Sequence, residues 1–321
     1  MHTCFHPPSG TWPVMLTPFT PDDTIDWPAF DELVDWYVSA GASGLFSVCL
    51  SSELYHLSAE EKEALAKRAL ARVSGRVPVI AAGPMGPDLN DMAEQTRRMA
   101  DTGVAAVILL TNQFYCEAPD EPDGSDSDWR DAVSRFLELV PDNIPLGIYE
   151  CPRPFPCNLS AGTLGWLAGT GRFVMTKDTC CDSGVIAEKL RSTANTPLSF
   201  YNADGVTLLD SLRRGGAGYS GIAGNYFLSL FSWLCRHHAE QPALAEELSA
   251  FIQAENRLVH VQYPQSAKHY LGLAGLRLTP HTRVSSFDFS ASQLEDLRSL
   301  RGRIIDWECR LGLCPSTTAA R

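Results

Sequence analysis

Short apolar segments rich in β-branched residues alternate with helix-like segments over the first 225 residues of the chain. The apolar segments are typical of buried strands. Eight of them occur, at 13–17, 44–48, 77–82, 105–110, 144–149, 173–176, 196–201 and 218–222. Helix-like segments between them lie at 27–40, from 58 onward, and at 91–100, 129–140, 160–167 and 208–213. The alternation predicts an α/β fold, a (β/α)8 TIM barrel, rather than an open doubly wound sheet.

The pattern changes after residue 225, where the remaining periodic segments are all helical. These segments are 226–238, 242–262, 266–273 and 291–311. We therefore expect a barrel over residues 1–225 and a C-terminal helical region over 226–321 that packs on the barrel. The acidic segment 117–128 is long enough for a lid or a variable loop at the barrel rim, and the tail 315–321 is expected to fray.

Composition excludes several classes of protein. A net charge of −12 argues against a nucleic-acid partner, and no run of about 18 apolar residues is present to span a membrane. The N-terminus lacks the basic and apolar regions of a signal peptide, so we expect a cytoplasmic protein. The ten cysteines and eight histidines show no metal-ligand spacing, which favours free thiols and predicts neither a metal nor an organic cofactor.

Lys177 is the residue whose position in the sequence indicates a catalytic role. It directly follows the apolar strand 173–176, where its ammonium group would lose much of its hydration. Burial disfavours the charged form, and an uncharged amine can attack a ketone to form a Schiff base. The alternative is a lysine whose stem crosses the strand end while its head reaches water. Tyr149 ends the preceding strand, so in a parallel barrel both side chains would emerge on the same rim.

Six motifs in order extend this pattern along nearly the whole chain. They are 10–18 (Gly-Thr-Trp-Pro-Val-Met-Leu-Thr-Pro), Ser51-Ser52-Glu53, the Tyr-x-x-Pro at 149–152, Lys177, the Gly-Gly-Ala-Gly at 215–218, and 263–268 (Tyr-Pro-Gln-Ser-Ala-Lys). With these motifs the chain resembles the dihydrodipicolinate synthase and N-acetylneuraminate lyase family of pyruvate-type class I aldolases. The resemblance implies a Schiff-base lysine, a homodimer or homotetramer, and no metal or cofactor.

The resemblance also implies a role for each matching residue. Lys177 would condense with pyruvate or another 2-oxo acid, and Tyr149 would pass protons during imine formation. Ser51 and Ser52 match the family's carboxylate-binding turn, and Glu53 would anchor that turn. The remaining substrate-binding candidates stand at or just after strand ends, and they are Thr17, Ser220 and Arg153.

Three departures from the family pattern fall on the side of the second substrate. Leu50 stands where the synthase has a threonine that links the catalytic tyrosine to a second tyrosine. Phe114 cannot serve as that second tyrosine, although Tyr115 follows it. Pro154 stands where the synthase has an arginine for the distal carboxylate of its amino-aldehyde substrate, and Arg153 lies one position earlier.

These observations predict a lyase that keeps the imine step and acts on a different second substrate. The expected reaction is that of an aldolase or dehydratase on pyruvate or a related 2-oxo acid, such as a 2-oxo-3-deoxy sugar acid. Its partners would be a small 2-oxo acid and an aldehyde, with no nucleic acid and no membrane. The alternatives are a non-catalytic 2-oxo acid binding or regulatory barrel, and a true dihydrodipicolinate synthase, which the departures disfavour.

Overall fold

Parallel strands curl into a barrel at the centre of the molecule. The computed structural model describes residues 5–114, 126–284 and 286–313. Within these residues the barrel has eight strands: β1 (Gly10–Thr11), β2 (Leu45–Val48), β3 (Val79–Ala82), β4 (Ala106–Leu110), β5 (Leu146–Tyr149), β6 (Phe173–Asp178), β7 (Ser199–Asn202) and β8 (Gly218–Tyr219). Each strand from β2 to β7 pairs in parallel with the next one along the chain, and β8 pairs with β1.

The ring closes between β2 and the chain that follows β1. Val14 forms a parallel bridge with Phe46, and the Ser43 N–H donates to the Thr11 carbonyl at 2.8 Å. Helices lie between the strands: α1 (Trp27–Ser39), α2 (Ala59–Val73), α3 (Leu89–Ala100), α4 (Asp126–Leu139), α5 (Ala161–Gly169), α6 (Ser183–Thr193) and α7 (Leu208–Arg213). The predicted (β/α)8 barrel is confirmed.

Four helices follow β8, as the change in periodicity predicted. They are α8 (Gly224–His237), α9 (Pro242–Val259), α10 (Gln265–Leu273) and α11 (Ala291–Arg310). Their apolar faces belong to the same continuous hydrophobic cluster as the strands. The division of the chain at residue 225 stays a prediction, since apolar side chains from both sides of that point share one core.

Two details of the elements differ from the prediction. The first strand pairs with β8 through Gly10 and Thr11, earlier than the predicted 13–17. Residues 13–15 bond toward β2 instead: the Phe46 N–H donates to the Pro13 carbonyl and the Met15 N–H donates to the Phe46 carbonyl. Pro13 has no N–H of its own to add to that ladder. The helix α6 was not predicted at all. Its start signal was present, since the Asp182 side chain accepts hydrogen bonds from the N–H groups of Gly184 and Val185.

Several sequence predictions concern residues beyond the described ranges. Most of the acidic segment 117–128, together with Tyr115, and the tail 315–321 lie there. In the ranges that are described, no group of three or more His, Cys, Asp or Glu side chains is arranged to hold a metal ion. None of the helices described is both long and apolar enough to cross a bilayer.

Candidate active site

Lys177 and Tyr149 face each other across two neighbouring strands at the carboxyl end of the barrel. Lys177 is the penultimate residue of β6, and its register partners are Tyr149 of β5 and Tyr201 of β7. Its Nζ lies 4.0 Å from the centre of the Tyr149 ring and 5.7 Å from that of Phe46. Only 4% of the residue is exposed, so the amine does not reach bulk water as the alternative interpretation required.

Burial of Lys177 shifts its amine toward the uncharged form. Burial lowers the pKa of Lys177 from 10.5 to about 8, while nearby Cys49 and Cys151 act in the opposite direction. Lys189 and Lys268 are buried too, but each forms an ion pair with at least one carboxylate. Among the described residues, Lys177 has no such carboxylate partner. It therefore combines burial with the electrostatic conditions of a nucleophilic amine.

Tyr149 is a buried, neutral phenol beside that amine. It is 3% exposed, and its ring meets the Phe46 ring edge to face with centroids 5.9 Å apart. Burial, with smaller effects from neighbouring thiols, raises the pKa of the Tyr149 hydroxyl well above its ordinary value. The hydroxyl therefore keeps its proton at rest and can donate it to a nearby oxygen.

Hydrogen bonds of buried hydroxyl groups fix the turn after β2. The Ser52 hydroxyl accepts from the Cys49 N–H at 3.0 Å and lies 2.9 Å from the Met15 carbonyl, to which it donates. Thr17 donates to the Ser52 carbonyl at 2.9 Å. The hydroxyls of Thr17 and Ser52 are thus engaged inside the protein, which leaves Ser51 as the better placed of the three for a substrate carboxylate.

Glu53 fastens the same turn to the C-terminal part of the chain. Its carboxylate accepts a hydrogen bond from Lys268 of α10 at 2.8 Å in a fully buried ion pair. It also accepts from the Thr282 hydroxyl at 2.9 Å and from the N–H groups of Arg283 at 2.6 Å and Val284 at 3.2 Å. Such a satisfied carboxylate has a structural role, as the sequence suggested.

Hydrogen bonds join three segments that are distant in sequence. Tyr263 precedes α10, and burial raises the pKa of its hydroxyl well above the ordinary value, while the Ser51 side chain acts in the opposite direction. Asn225 of α8 donates to Tyr263 at 2.9 Å and accepts from Tyr37 of α1 at 2.5 Å. Local sequence patterns could not connect these side chains, although Tyr263 stood in one of the six motifs.

Ser220 offers an unused hydroxyl just after β8. The residue is completely buried, and within the described part of the chain its hydroxyl has no hydrogen-bond partner. Leaving a buried hydroxyl unpaired costs about 1–3 kcal/mol, so such a group is a natural place for a ligand to bond. The role of Ser220 in positioning the substrate stays a prediction.

Arg153 and Phe114 are two of the described residues that the sequence analysis placed on the side of the second substrate. The Arg153 side chain is exposed, and in the described residues its guanidinium makes no hydrogen bond or ion pair. Phe114 packs edge to face on Trp129 and Phe136 in the core, with centroids 5.7 and 5.5 Å apart. It contributes to packing and has no hydroxyl to offer.

A (β/α)8 barrel has the architecture of a class I aldolase when a buried lysine, without an ion-pair partner in the described residues, lies opposite a tyrosine at the carboxyl ends of its strands. Comparison with known families agrees with this class. The model of the dihydrodipicolinate synthetase family matches residues 7–300, and the chain belongs to that family. Its members are pyruvate-dependent class I aldolases and lyases that use a lysine Schiff base, so the protein is a lyase of this kind.

Known relatives match two thirds or more of the chain at low identity. The 4-hydroxy-tetrahydrodipicolinate synthase of Jannaschia sp. (strain CCS1) is 28% identical over 219 residues, which cover 67% of this chain and 70% of that protein. The enzyme of the same name from Shewanella pealeana is 23% identical over 306 residues, covering 91% and 98%.

Solved structures share the fold. The 4-hydroxy-tetrahydrodipicolinate synthase of Methylacidiphilum fumariolicum SolV superposes with a TM-score of 0.81 at 20% identity, covering 95% of this chain and 98% of that one. A prophage protein of the dihydrodipicolinic acid synthase family from E. coli K12, solved in complex with pyruvate, gives a TM-score of 0.79 at 20% identity and covers 95% and 99%. At these identities the likeness establishes the fold alone.

Proposed function

We propose that Lys177 forms a Schiff base with the carbonyl of pyruvate or a related 2-oxo acid, and that the enzyme makes or breaks a C–C or C–O bond beside it. The favoured substrate class is the 2-oxo-3-deoxy sugar acids. The observation that carries the proposal is the Lys177 amine, which is 4% exposed and lies 4.0 Å from the Tyr149 ring centre. Among the described residues, that amine has no ion-pair partner.

The first step is the attack of the neutral Lys177 amine on the 2-oxo carbon. Tyr149 donates its proton to the carbonyl oxygen as that oxygen becomes negative, and water then leaves to give the iminium. The iminium withdraws electrons from the neighbouring carbon, which permits bond making or breaking there. Backbone N–H groups of the turn at 50–52 and the Ser51 hydroxyl would hold the carboxylate, and Ser220, just after β8, would help to position the imine.

The residues that face the second substrate argue for an acceptor without a distal carboxylate. Leu50 contributes an apolar side chain, Pro154 carries no charge, and the neighbouring Arg153 extends into solvent. A bidentate guanidinium is the usual partner for a carboxylate, and none of the described arginines is placed for it at Lys177. The curated relatives are nevertheless named as synthases, so the synthase reaction is the alternative that the assay must exclude.

A substrate screen tests this assignment. In one assay the enzyme is incubated with a panel of 2-oxo-3-deoxy sugar acids, and pyruvate release or dehydration is followed. In a second assay pyruvate is supplied with hydroxyaldehydes or with the amino-aldehyde of the synthase reaction. We expect Lys177-dependent turnover with a sugar acid or hydroxyaldehyde at a kcat/KM at least about tenfold above that with the amino-aldehyde. Faster turnover of the amino-aldehyde would assign the synthase reaction instead.

The pH dependence of imine formation reports the state of Lys177. Only the uncharged amine attacks, and protonation below its pKa removes the nucleophile. Because burial lowers the pKa of Lys177 to about 8, the rate of imine formation with pyruvate should rise with pH up to about 8 and then level off. Stopped-flow measurement of the imine across the range from mildly acidic to basic pH gives this curve. A rate still rising toward the ordinary value of 10.5 would show that the amine is fully hydrated.

The number of copies in the assembly stays a prediction. We propose a homodimer or homotetramer, as the family resemblance implied. One solved structure of similar fold, with a TM-score of 0.80 at 18% identity, is titled as the first monomeric dihydrodipicolinate synthase variant, so assembly varies among proteins of this fold.

A further inference from the structure

Lys189 binds the two carboxylates that directly follow the reacting pair in the chain. It belongs to α6, and its Nζ lies 2.6 Å from Glu150 Oε1 and 2.5 Å from Asp178 Oδ2. At most 1% of each of these three side chains is exposed, and we call them the buried triad. Glu150 is the chain neighbour of Tyr149, and Asp178 is the chain neighbour of Lys177.

The buried triad lies on the helix side of the sheet, whereas the Lys177 amine lies inside the barrel. Lys177 Nζ is close to the ring of Phe46, which belongs to β2 rather than to a strand beside β6. Successive side chains of a strand point to opposite faces, so Asp178 at the end of β6 points outward to α6. Glu150 binds the same lysine and therefore lies on that outer face as well.

The two carboxylates also fix the loops that leave β5 and β6. Glu150 accepts hydrogen bonds from the N–H groups of Leu159 at 2.9 Å and Thr179 at 3.2 Å. The Thr179 hydroxyl donates to the Glu150 carbonyl at 2.6 Å, and Asp178 accepts from the Cys180 N–H at 3.1 Å. The ends of both strands are thus fastened just beyond the reacting pair.

The β5–β6 ladder has a competing register in which Lys177 would face a carboxylate. After the first register pair, Leu146 and Phe173, β6 carries one extra residue relative to β5. If the strands continued in the register of that pair, Lys177 would stand opposite Glu150 instead of Tyr149. An amine beside a carboxylate stays charged and does not attack a carbonyl.

Stability alone is a weak explanation for the buried triad. Taking ionised groups out of water is costly, and well-packed apolar residues at such sites often give an equally stable protein. Selecting one register among several is the best-attested use of buried ionic groups. Although burial lowers the pKa of Lys189, the two carboxylates together raise it above its ordinary value, so the cation that binds them is retained.

We propose that Lys189 is a positioning residue for the reacting pair. It holds the carboxylates of Glu150 and Asp178 on the helix side of the sheet, which keeps them away from the Lys177 amine. It also holds β5 and β6 in the register that places Tyr149 beside that amine. The proposal rests on the role of Lys177 in the proposed function, and Lys189 itself does not touch the substrate.

The groups around Lys177 make its amine sensitive to any carboxylate that is released. The titratable side chains near it are the phenols of its register partners, Tyr149 and Tyr201, and the thiols of Cys49 and Cys151. In the described part of the chain none of its ion-pair neighbours is a carboxylate. A carboxylate that loses Lys189 would therefore favour the charged form of the Lys177 amine and raise its pKa.

The variant Lys189→Met tests the proposal through the pH dependence of imine formation with pyruvate. The midpoint of that curve, expected near 8 in the wild type, should rise by at least about one pH unit toward 10.5. The rate at neutral pH should then fall about tenfold or more and recover in base.

A neutral variant separates the carboxylates from other effects of the substitution. Lys189→Met combined with Glu150→Gln and Asp178→Asn removes every charge of the buried triad, so the midpoint should return to the wild-type value or below it. Should Lys189→Met not fold, Lys189→Met with Asp178→Asn takes its place, because the remaining Glu150 carboxylate keeps its two backbone N–H donors.

Ile304→Ala is the control for a loss of stability. It truncates a core side chain of α11 that is 1% exposed, so the thermal unfolding midpoint should fall while the pH midpoint stays unchanged. A wild-type pH midpoint in the variants that retain a carboxylate, or a midpoint that stays high in the neutral variant, would overturn the proposal. Absence of any imine in the wild type would instead contradict the proposed function, so the two failures are distinguishable.

Discussion

Replacing Lys177 by alanine is expected to lower kcat by at least about 10⁴-fold, because the nucleophile that forms the covalent intermediate is lost. The barrel should remain folded. Alanine is smaller and apolar. Lys177 is 4% exposed and has no carboxylate partner among the described residues, so its removal leaves no carboxylate there unpaired. The measurement is steady-state turnover with the substrate identified in the screen, together with the thermal unfolding midpoint.

Lys62→Ala is the matched control for this loss. Lys62 is 7% exposed, and burial lowers its pKa as it does for Lys177, but it belongs to α2 on the outside of the barrel. It should retain turnover within about threefold, as expected of a residue that does not contact the reacting atoms. Retained turnover in Lys177→Ala would remove Lys177 from the mechanism.

Replacing Tyr149 by phenylalanine should lower turnover by about 10²-fold to 10⁴-fold, the usual contribution of a general acid or base. The change removes only the hydroxyl. The ring that lies 4.0 Å from the Lys177 Nζ and packs against Phe46 is kept, so the environment of the amine is largely preserved. The fall should appear in kcat and in the rate of imine formation, while the final extent of trapping on Lys177 stays near that of the wild type.

Unchanged turnover in Tyr149→Phe would assign proton transfer to another group. A fall in turnover accompanied by loss of trapping would instead show that the hydroxyl is required for the lysine to react at all.

The barrel and the centre of its site follow from local patterns in the sequence. The alternation of strands and helices indicated parallel strands, and the carboxyl ends of parallel strands meet at one rim. Lys177 and Tyr149 close two strands that are consecutive in the chain, which is why their meeting was predictable. The structure places them as direct register partners.

The parts that could not be predicted depend on contacts between distant segments. Tyr37, Asn225 and Tyr263 come from α1, α8 and the segment before α10, and no spacing rule relates them.

Arg153 shows that a match in sequence position does not guarantee a place in the site. Arg153 lies a single position from the place of a substrate-binding arginine in the synthase, yet it extends into solvent. Its backbone carbonyl, which no side-chain pattern could single out, is the part of the residue that is engaged, as the acceptor for Tyr55 and Asn112.

The covalent capture of pyruvate by Lys177 is the most direct test of the account. The chain has five lysines, at 62, 67, 177, 189 and 268, so peptide mapping resolves which amine reacts. Reduction with borohydride in the presence of pyruvate should add one reduced pyruvate per chain, on the peptide that contains Lys177, and nothing should be added in Lys177→Ala. An adduct on one of the other four lysines, or none with any of several 2-oxo acids, would contradict the assignment; the second result would favour a binding protein that has kept the barrel without its chemistry.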